Sequence, residues 1–288
     1  MNVSTRHRVP VPPAKRVLSR LGAARRRLKA FNHESGHHLE IDGAQIYCEE
    51  VGNSQGHPLV LLHGGLGSME DFNRIVPRLG KGFRVIGIDS RGHGKSTLGP
   101  ESLSYARLEH DLRRIVEHLR LGEFSLIGFS DGGIVAYRLA SSWLFKLQKL
   151  VTIGSQWELK SNDPVRDILS KVTSDSWRKK FPGTYESYQR LNPQPDFDRL
   201  VQAAVTMWLD SSPSGYPGKA VDDISCDLLI VRGQRDHLVS MQALAELAGR
   251  VGNSRLVDIP LAGHVAFDDQ PDAFMQALDE FFKATGGR

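Results

Sequence analysis

The chain has very little cysteine: Cys48 and Cys226 are the only two in 288 residues. No disulfide framework can be built on them, and a reducing setting such as the cytoplasm is expected. No apolar run approaches the about 18 residues of a membrane span. Internal repeats are absent, and so is low-complexity sequence beyond the first residues, which argues against solenoid and fibrous architectures. A metal-ligand pattern is lacking too. His33, His37 and His38 cluster without a nearby cysteine or a helical i, i+4 pair, so no metal and no cofactor are expected.

Acidic residues are missing from the first 33 positions, where nine of the 37 lysines and arginines lie. That absence alone makes the chain basic, with a formal charge of +4 and a pI near 9.1. The remainder holds 28 basic against 33 acidic side chains, so nucleic acid is not an expected partner. Residues 1–37 read as a basic N-terminal extension. Val17, Leu21, Ala24, Leu28 and Phe31 recur on one face of a helix with arginines around the rest. The segment lacks the apolar core of a secretory signal. A solvated or docked extension, a membrane-surface helix and, in a eukaryote, an organellar import peptide all fit that pattern. No feature of the sequence marks an oligomeric state.

From residue 38 to 288 the pattern is that of one α/β domain. Residues 37–51 read as two strands around the Asp42-Gly43 turn. Apolar runs at 59–62, 83–88, 124–127, 150–153, 228–231 and 256–259 read as strands. Helical periodicity falls at about 69–79, 108–119, 134–139 and 272–283. This alternation predicts a mostly parallel sheet covered on both faces by helices. No strand pattern occurs between Ile153 and Leu228. Residues 157–222 carry aromatic helical patches instead, including Trp157, Trp177 and Trp208, and read as a helical cap over the sheet.

The most informative stretch is Phe124-Ser-Leu-Ile-Gly-Phe-Ser-Asp-Gly-Gly133. A short buried strand runs into G-x-S-x-G at 128–132, and an amphipathic helix follows at once. A nucleophile elbow needs that context. It predicts a strained Ser130 with its hydroxyl raised above the sheet, at a helix N-terminus that favours negative charge.

A serine nucleophile needs a base and a group to orient that base. In this architecture they follow in the order serine, acid, histidine, in loops after later strands. Asp236 lies in the loop after the 228–231 strand, and His264 in the loop after the last strand. Ser130, Asp236 and His264 are therefore the candidate catalytic residues. His237 adjoins the acid but is aimed elsewhere, His93 sits in a glycine turn, and Glu158 lies too far into the cap. Two backbone donors are needed for an oxyanion hole. The Asp131 amide is one, and Gly65, with Leu66 as the alternative, supplies the other from the His63-Gly-Gly-Leu-Gly67 loop. Asp131 and Trp157 are the candidate substrate-binding side chains.

These motifs, with D-x-R-G-x-G-x-S at 89–96 and G-H at 263–264, resemble the α/β-hydrolase superfamily over about five sixths of the chain. Within it, Gly128-Phe-Ser-Asp-Gly-Gly133 and Gly65-Leu-Gly-Ser68 are similar to the valacyclovir hydrolase (biphenyl hydrolase-like) group. That resemblance implies cleavage of α-amino acid esters, with the Asp131 carboxylate binding the substrate ammonium. The expected activity is hydrolysis of a small-molecule carboxylic ester through an acyl-enzyme. Lactone, thioester, peptide-end or C–C bond hydrolysis and a slow-turnover ligand receptor are the alternatives on the same fold.

Overall fold

The structure, a computed structural model, describes residues 30–284. The described residues form an eight-stranded sheet in the order β1-β2-β4-β3-β5-β6-β7-β8. Its strands are β1 His37–Ile41, β2 Ala44–Gly52, β3 His57–Leu62, β4 Phe83–Ile88, β5 Glu123–Phe129, β6 Lys146–Ile153, β7 Asp227–Gly233 and β8 Ser254–Ile259. β2 runs antiparallel to β1 and β4, and every other pairing is parallel. The expected mostly parallel sheet is therefore present, with one hairpin at its edge.

Alternation along each strand splits the core into two layers. In β3, Val60 and Leu62 pack into one layer while Leu59 and Leu61 face the other. The first layer is closed by helices α2 Tyr105–His118, α3 Asp131–Ala140 and α8 Met241–Arg250. The second is closed by α1 Val76–Leu79, α9 Ala266–Asp269 and α10 Pro271–Lys283. A strand buried on both faces has no polar side to display, which is why β3 reads as an unbroken apolar run.

The helix predicted over 69–79 is two shorter pieces, a 3-10 turn at Met69–Arg74 and the single-turn α1. Pro77 lies in the first turn of α1, where its missing N–H interrupts any continuous ladder from residue 69. Between β6 and β7 the chain makes four helices, α4 Val165–Ser170, α5 Ser174–Lys180, α6 Pro182–Leu191 and α7 Phe197–Trp208, then a 3-10 turn at Gly218–Asp223. Only α7 carries a broad buried face; α5 has no buried residue and α6 only Tyr188.

The proposed face of Val17, Leu21, Ala24 and Leu28 lies outside the described residues. Its last member does not, and a boundary at residue 37 is too late. Phe31 is buried, exchanges hydrogen bonds of 2.9 Å with Asn73, and packs its ring on Gly87. His33 is 1% exposed and sits between Asp89 Oδ2 at 2.7 Å and Glu70 Oε1 at 2.9 Å. Pairing with two carboxylates brings a histidine into the core that composition assigns to the tail.

Burial alone would lower the pKa of His33, but its bonds to Asp89 and Glu70 outweigh that and raise it to about 9. A group with a raised folded pKa contributes stability that is complete below its unfolded value near 6.5 and is lost as pH rises through about 9. His33→Ala should therefore destabilise the protein by ~3–5 kcal/mol at pH 6, the cost of breaking a buried pair. The gap between wild type and variant in urea denaturation should shrink between pH 7 and 9.5. A gap independent of pH would contradict the charged assignment.

Candidate active site

Ser130 stands at the end of β5 and caps α3 with φ 50° and ψ −116°. Few non-glycine residues adopt such a backbone, and it costs of order 1–3 kcal/mol. The surroundings enforce it. The Ser130 amide is tied to the Ile153 carbonyl, and its own carbonyl accepts from Gly133 and Ile134. The turn can be this tight only because two residues lack a side chain. A Cβ at Gly132 would meet the Leu62 carbonyl carbon at 2.5 Å, and one at Gly128 would meet the Gly133 Cα at 2.6 Å.

The three candidate catalytic residues, 134 positions apart at the extremes, are brought together. Ser130 Oγ lies 3.1 Å from His264 Nε2, and His264 Nδ1 lies 2.9 Å from Asp236 Oδ2. Asp236 is buried, and its Oδ1 accepts from the Leu238 and Val239 amides at 2.8 and 3.3 Å. Burial pushes its pKa up, but the His264 bond and charge with these amides prevail and hold it below the usual carboxylate range. An ionised Asp236 can only accept, so Nδ1 of His264 carries a proton and Nε2 is left to accept from the serine hydroxyl. Gly154, at φ 55°, makes room for the imidazole: a Cβ there would lie 3.0 Å from the ring and 3.1 Å from Asp236. Phe129 packs beside the ring at 5.1 Å.

The loop after β3 faces the serine. A Cβ on Gly64 would lie 3.2 Å from the Ser130 Cβ, and Leu66 is held at φ 61°. The D-x-R-G-x-G-x-S segment braces this loop from behind. Asp89 accepts from the Met69 amide at 3.0 Å and the Lys95 amide at 2.8 Å. His63 Nε2 accepts from the Ser90 amide at 2.9 Å. Buried Arg91 forks onto Asp111 at 2.7 and 2.8 Å. A cavity of about 240 Å³ adjoins the loop at Leu66, between Ser68, Asp71 and the α6 residues Thr184 and Ser187.

Two expectations for substrate-binding side chains need correction. Trp157 is 1% exposed; its indole donates to the Ala243 carbonyl at 2.9 Å, with the Arg250 guanidinium over its ring, so it is core packing against α8. The Asp131 carboxylate is not free. Oδ1 accepts from the Tyr105 hydroxyl and Oδ2 from the Trp208 indole N–H, each at 2.8 Å. Burial raises its pKa, and these two donors act in the opposite direction. Tyr105 and Trp208 are the site residues that sequence reasoning missed. No motif marks them, although Trp208 stands out as an aromatic in the inserted segment.

The description "Alpha/beta hydrolase family" matches residues 59–277. An AB hydrolase superfamily protein, YisY of Bacillus subtilis (strain 168), is 25% identical over 85% of this chain and 98% of its own length. Among solved structures, a thermophilic esterase from Thermogutta terrifontis superposes with a TM-score of 0.67 at 23% identity, covering 86% of this chain and 98% of its own. The enol-lactonase from Burkholderia xenovorans LB400 gives 0.70 at 18% identity, covering 86% and 100%. Identities this low speak for the fold alone.

Removing the side chain's Cβ should release the backbone strain at residue 130. Ser130→Gly should be more stable than Ser130→Ala by ~0.5–2 kcal/mol, the strain less the extra chain entropy of glycine. Thermal or urea denaturation of the two variants decides this. An alanine variant of equal or higher stability would show that the elbow stores no strain.

Proposed function

Since the chain belongs to the alpha/beta hydrolase family, we propose that it cleaves a carboxylic ester of a small molecule through an acyl-enzyme formed on Ser130. The observation that carries this reading is the continuous chain of contacts from Ser130 Oγ through His264 to Asp236 at 3.1 and 2.9 Å. His264 takes the serine proton as Oγ attacks the ester carbonyl, then returns it to the leaving alcohol. Asp236 holds the imidazole tautomer and stabilises the imidazolium. Water then attacks the acyl-serine by the same route, with His264 again as base.

The negative oxygen of each tetrahedral intermediate is received by the Asp131 amide at the positive end of α3 and by the Gly65 or Leu66 amide across from it. Among the described residues, none of these three amides donates to another backbone carbonyl. Residues 157–222 act as a cap, with α7 resting on the site. Lactones, thioesters, peptide ends and C–C bonds remain alternative substrates of the same machinery. Epoxide opening and dehalogenation need a carboxylate where Ser130 stands. An α-amino acid ester is the finer alternative. It requires the substrate ammonium to reach an Asp131 carboxylate that is 7% exposed, and the pairing at 2.8 Å on both oxygens favours a neutral acyl group instead.

Turnover of p-nitrophenyl acetate and butyrate tests the reading. Ser130→Ala should lower kcat by ~10⁶-fold, and Asp236→Asn by ~10⁴-fold through the wrong histidine tautomer. Circular dichroism should show both variants folded. Near-wild-type turnover in Ser130→Ala would end the proposal.

A further inference from the structure

Trp208 belongs to α7 in the inserted segment, yet it reaches the centre of the site. Its indole N–H donates to Asp131 Oδ2 at 2.8 Å, and its ring carbon Cζ2 would lie 2.7 Å from a Cβ on Gly65. The ring thus spans Asp131, next to the serine, and Gly65 of the loop that faces it, and it is 6% exposed. It is also firmly held. The Tyr216 hydroxyl donates to the Trp208 carbonyl at 2.9 Å, and the Tyr216 ring packs edge-on against Tyr105 at 5.1 Å. Arg138 of α3 donates to the Gly215 and Pro213 carbonyls at 2.7 and 3.1 Å, and the Ala106 amide of α2 to Ser214 at 2.9 Å. The loop that follows α7 is therefore clamped to the elbow helix and to α2, whereas α5 and α6 bury little.

We infer that Trp208 is the residue that sets acyl specificity, admitting a short neutral acyl group. The inference rests on the hydrolase reading above and goes one step further. An acyl group on Ser130 lies beside both Asp131 and Gly65, so a rigid indole across them walls off its far end. Long chains are refused by the ring itself. A substrate ammonium gains no partner at Asp131, which is 7% exposed and already accepts from the Trp208 N–H on one oxygen. Tyr105 occupies the other oxygen, so the two donors together turn an acidic position into a neutral wall. A carboxylate that loses one of these donors while staying buried regains a strong demand for a cation.

Two variants separate the ring from its N–H. Trp208→Phe keeps most of the bulk and removes the donor. Trp208→Ala removes the wall. The readout is a ratio of kcat/KM values, which a general loss of stability or activity does not move. In wild type, p-nitrophenyl acetate and butyrate should exceed the octanoate by ~10-fold or more, and valine and isovalerate esters of one alcohol should differ by less than ~3-fold. Trp208→Ala should raise the octanoate-to-acetate ratio by ~10-fold or more. Trp208→Phe should raise the valine-to-isovalerate ratio by ~5-fold or more with little change in chain-length preference. If Trp208→Ala does not fold, the Phe variant still decides the matter through the second ratio. Ratios unchanged within twofold in an active variant would overturn the assignment while leaving the hydrolase reading intact. A wild type that prefers the valine ester by ~10-fold would overturn it as well. A wild-type protein that turns over none of these esters would overturn the hydrolase reading, and this inference with it.

Discussion

The site depends on one constraint, the left-handed backbone at Ser130 between a parallel strand and a helix. A serine at φ 50° is unfavourable by itself. It persists because β5 lies at the middle of the sheet, paired with β3 on one side and β6 on the other. The glycines at 128 and 132 let α3 turn back against β3 without collision. Everything else is placed relative to that turn. β6 runs into Gly154, which yields space to His264, while β7 and β8 lead into the loops that carry Asp236 and His264. The strain is local, and two packed layers covering both faces of the sheet are ample to hold it.

Behind the site, charge does structural work. Asp89 is fully buried and joins the loop after β3, the loop after β4 and the segment holding His33. Burial acts to raise its pKa, yet its histidine partner and backbone donors keep it below the usual range. Beside the serine the opposite arrangement holds. Among the described residues, the Asp131 carboxylate accepts from two neutral donors, the Tyr105 hydroxyl and the Trp208 indole, and pairs with no cation. The two aspartates are held differently: Asp89 ties loops together through a histidine and backbone amides, and Asp131 ties the elbow helix to Tyr105 of α2 and Trp208 of α7.

The strands and the contacts from Ser130 through His264 to Asp236 were legible because each is written locally. Apolar runs give β3, β4 and β7, and G-x-S-x-G between a strand and a helix gives the elbow. Asp236 and His264 follow from the strand count, since each occupies the loop after a particular strand. What was not legible depends on contacts between distant segments. Trp157 and Trp208 look alike in sequence, yet the first packs against α8 and the second reaches Asp131. His33 reads as part of a basic tail until Asp89 and Glu70, far along the chain, are placed around it. The split of residues 69–79 turned on a single proline, whose effect depends on where the turn begins.

The most direct test of the account is where a mechanism-based acylating or phosphonylating reagent attaches. Wild-type protein treated with a fluorophosphonate and digested should carry one adduct per chain, on the peptide containing Ser130. His264→Ala, which removes the base, should acquire it far more slowly. An unmodified Ser130, or a modification that maps to another residue and accounts for the loss of esterase activity, would contradict the central claim that the elbow serine is the nucleophile.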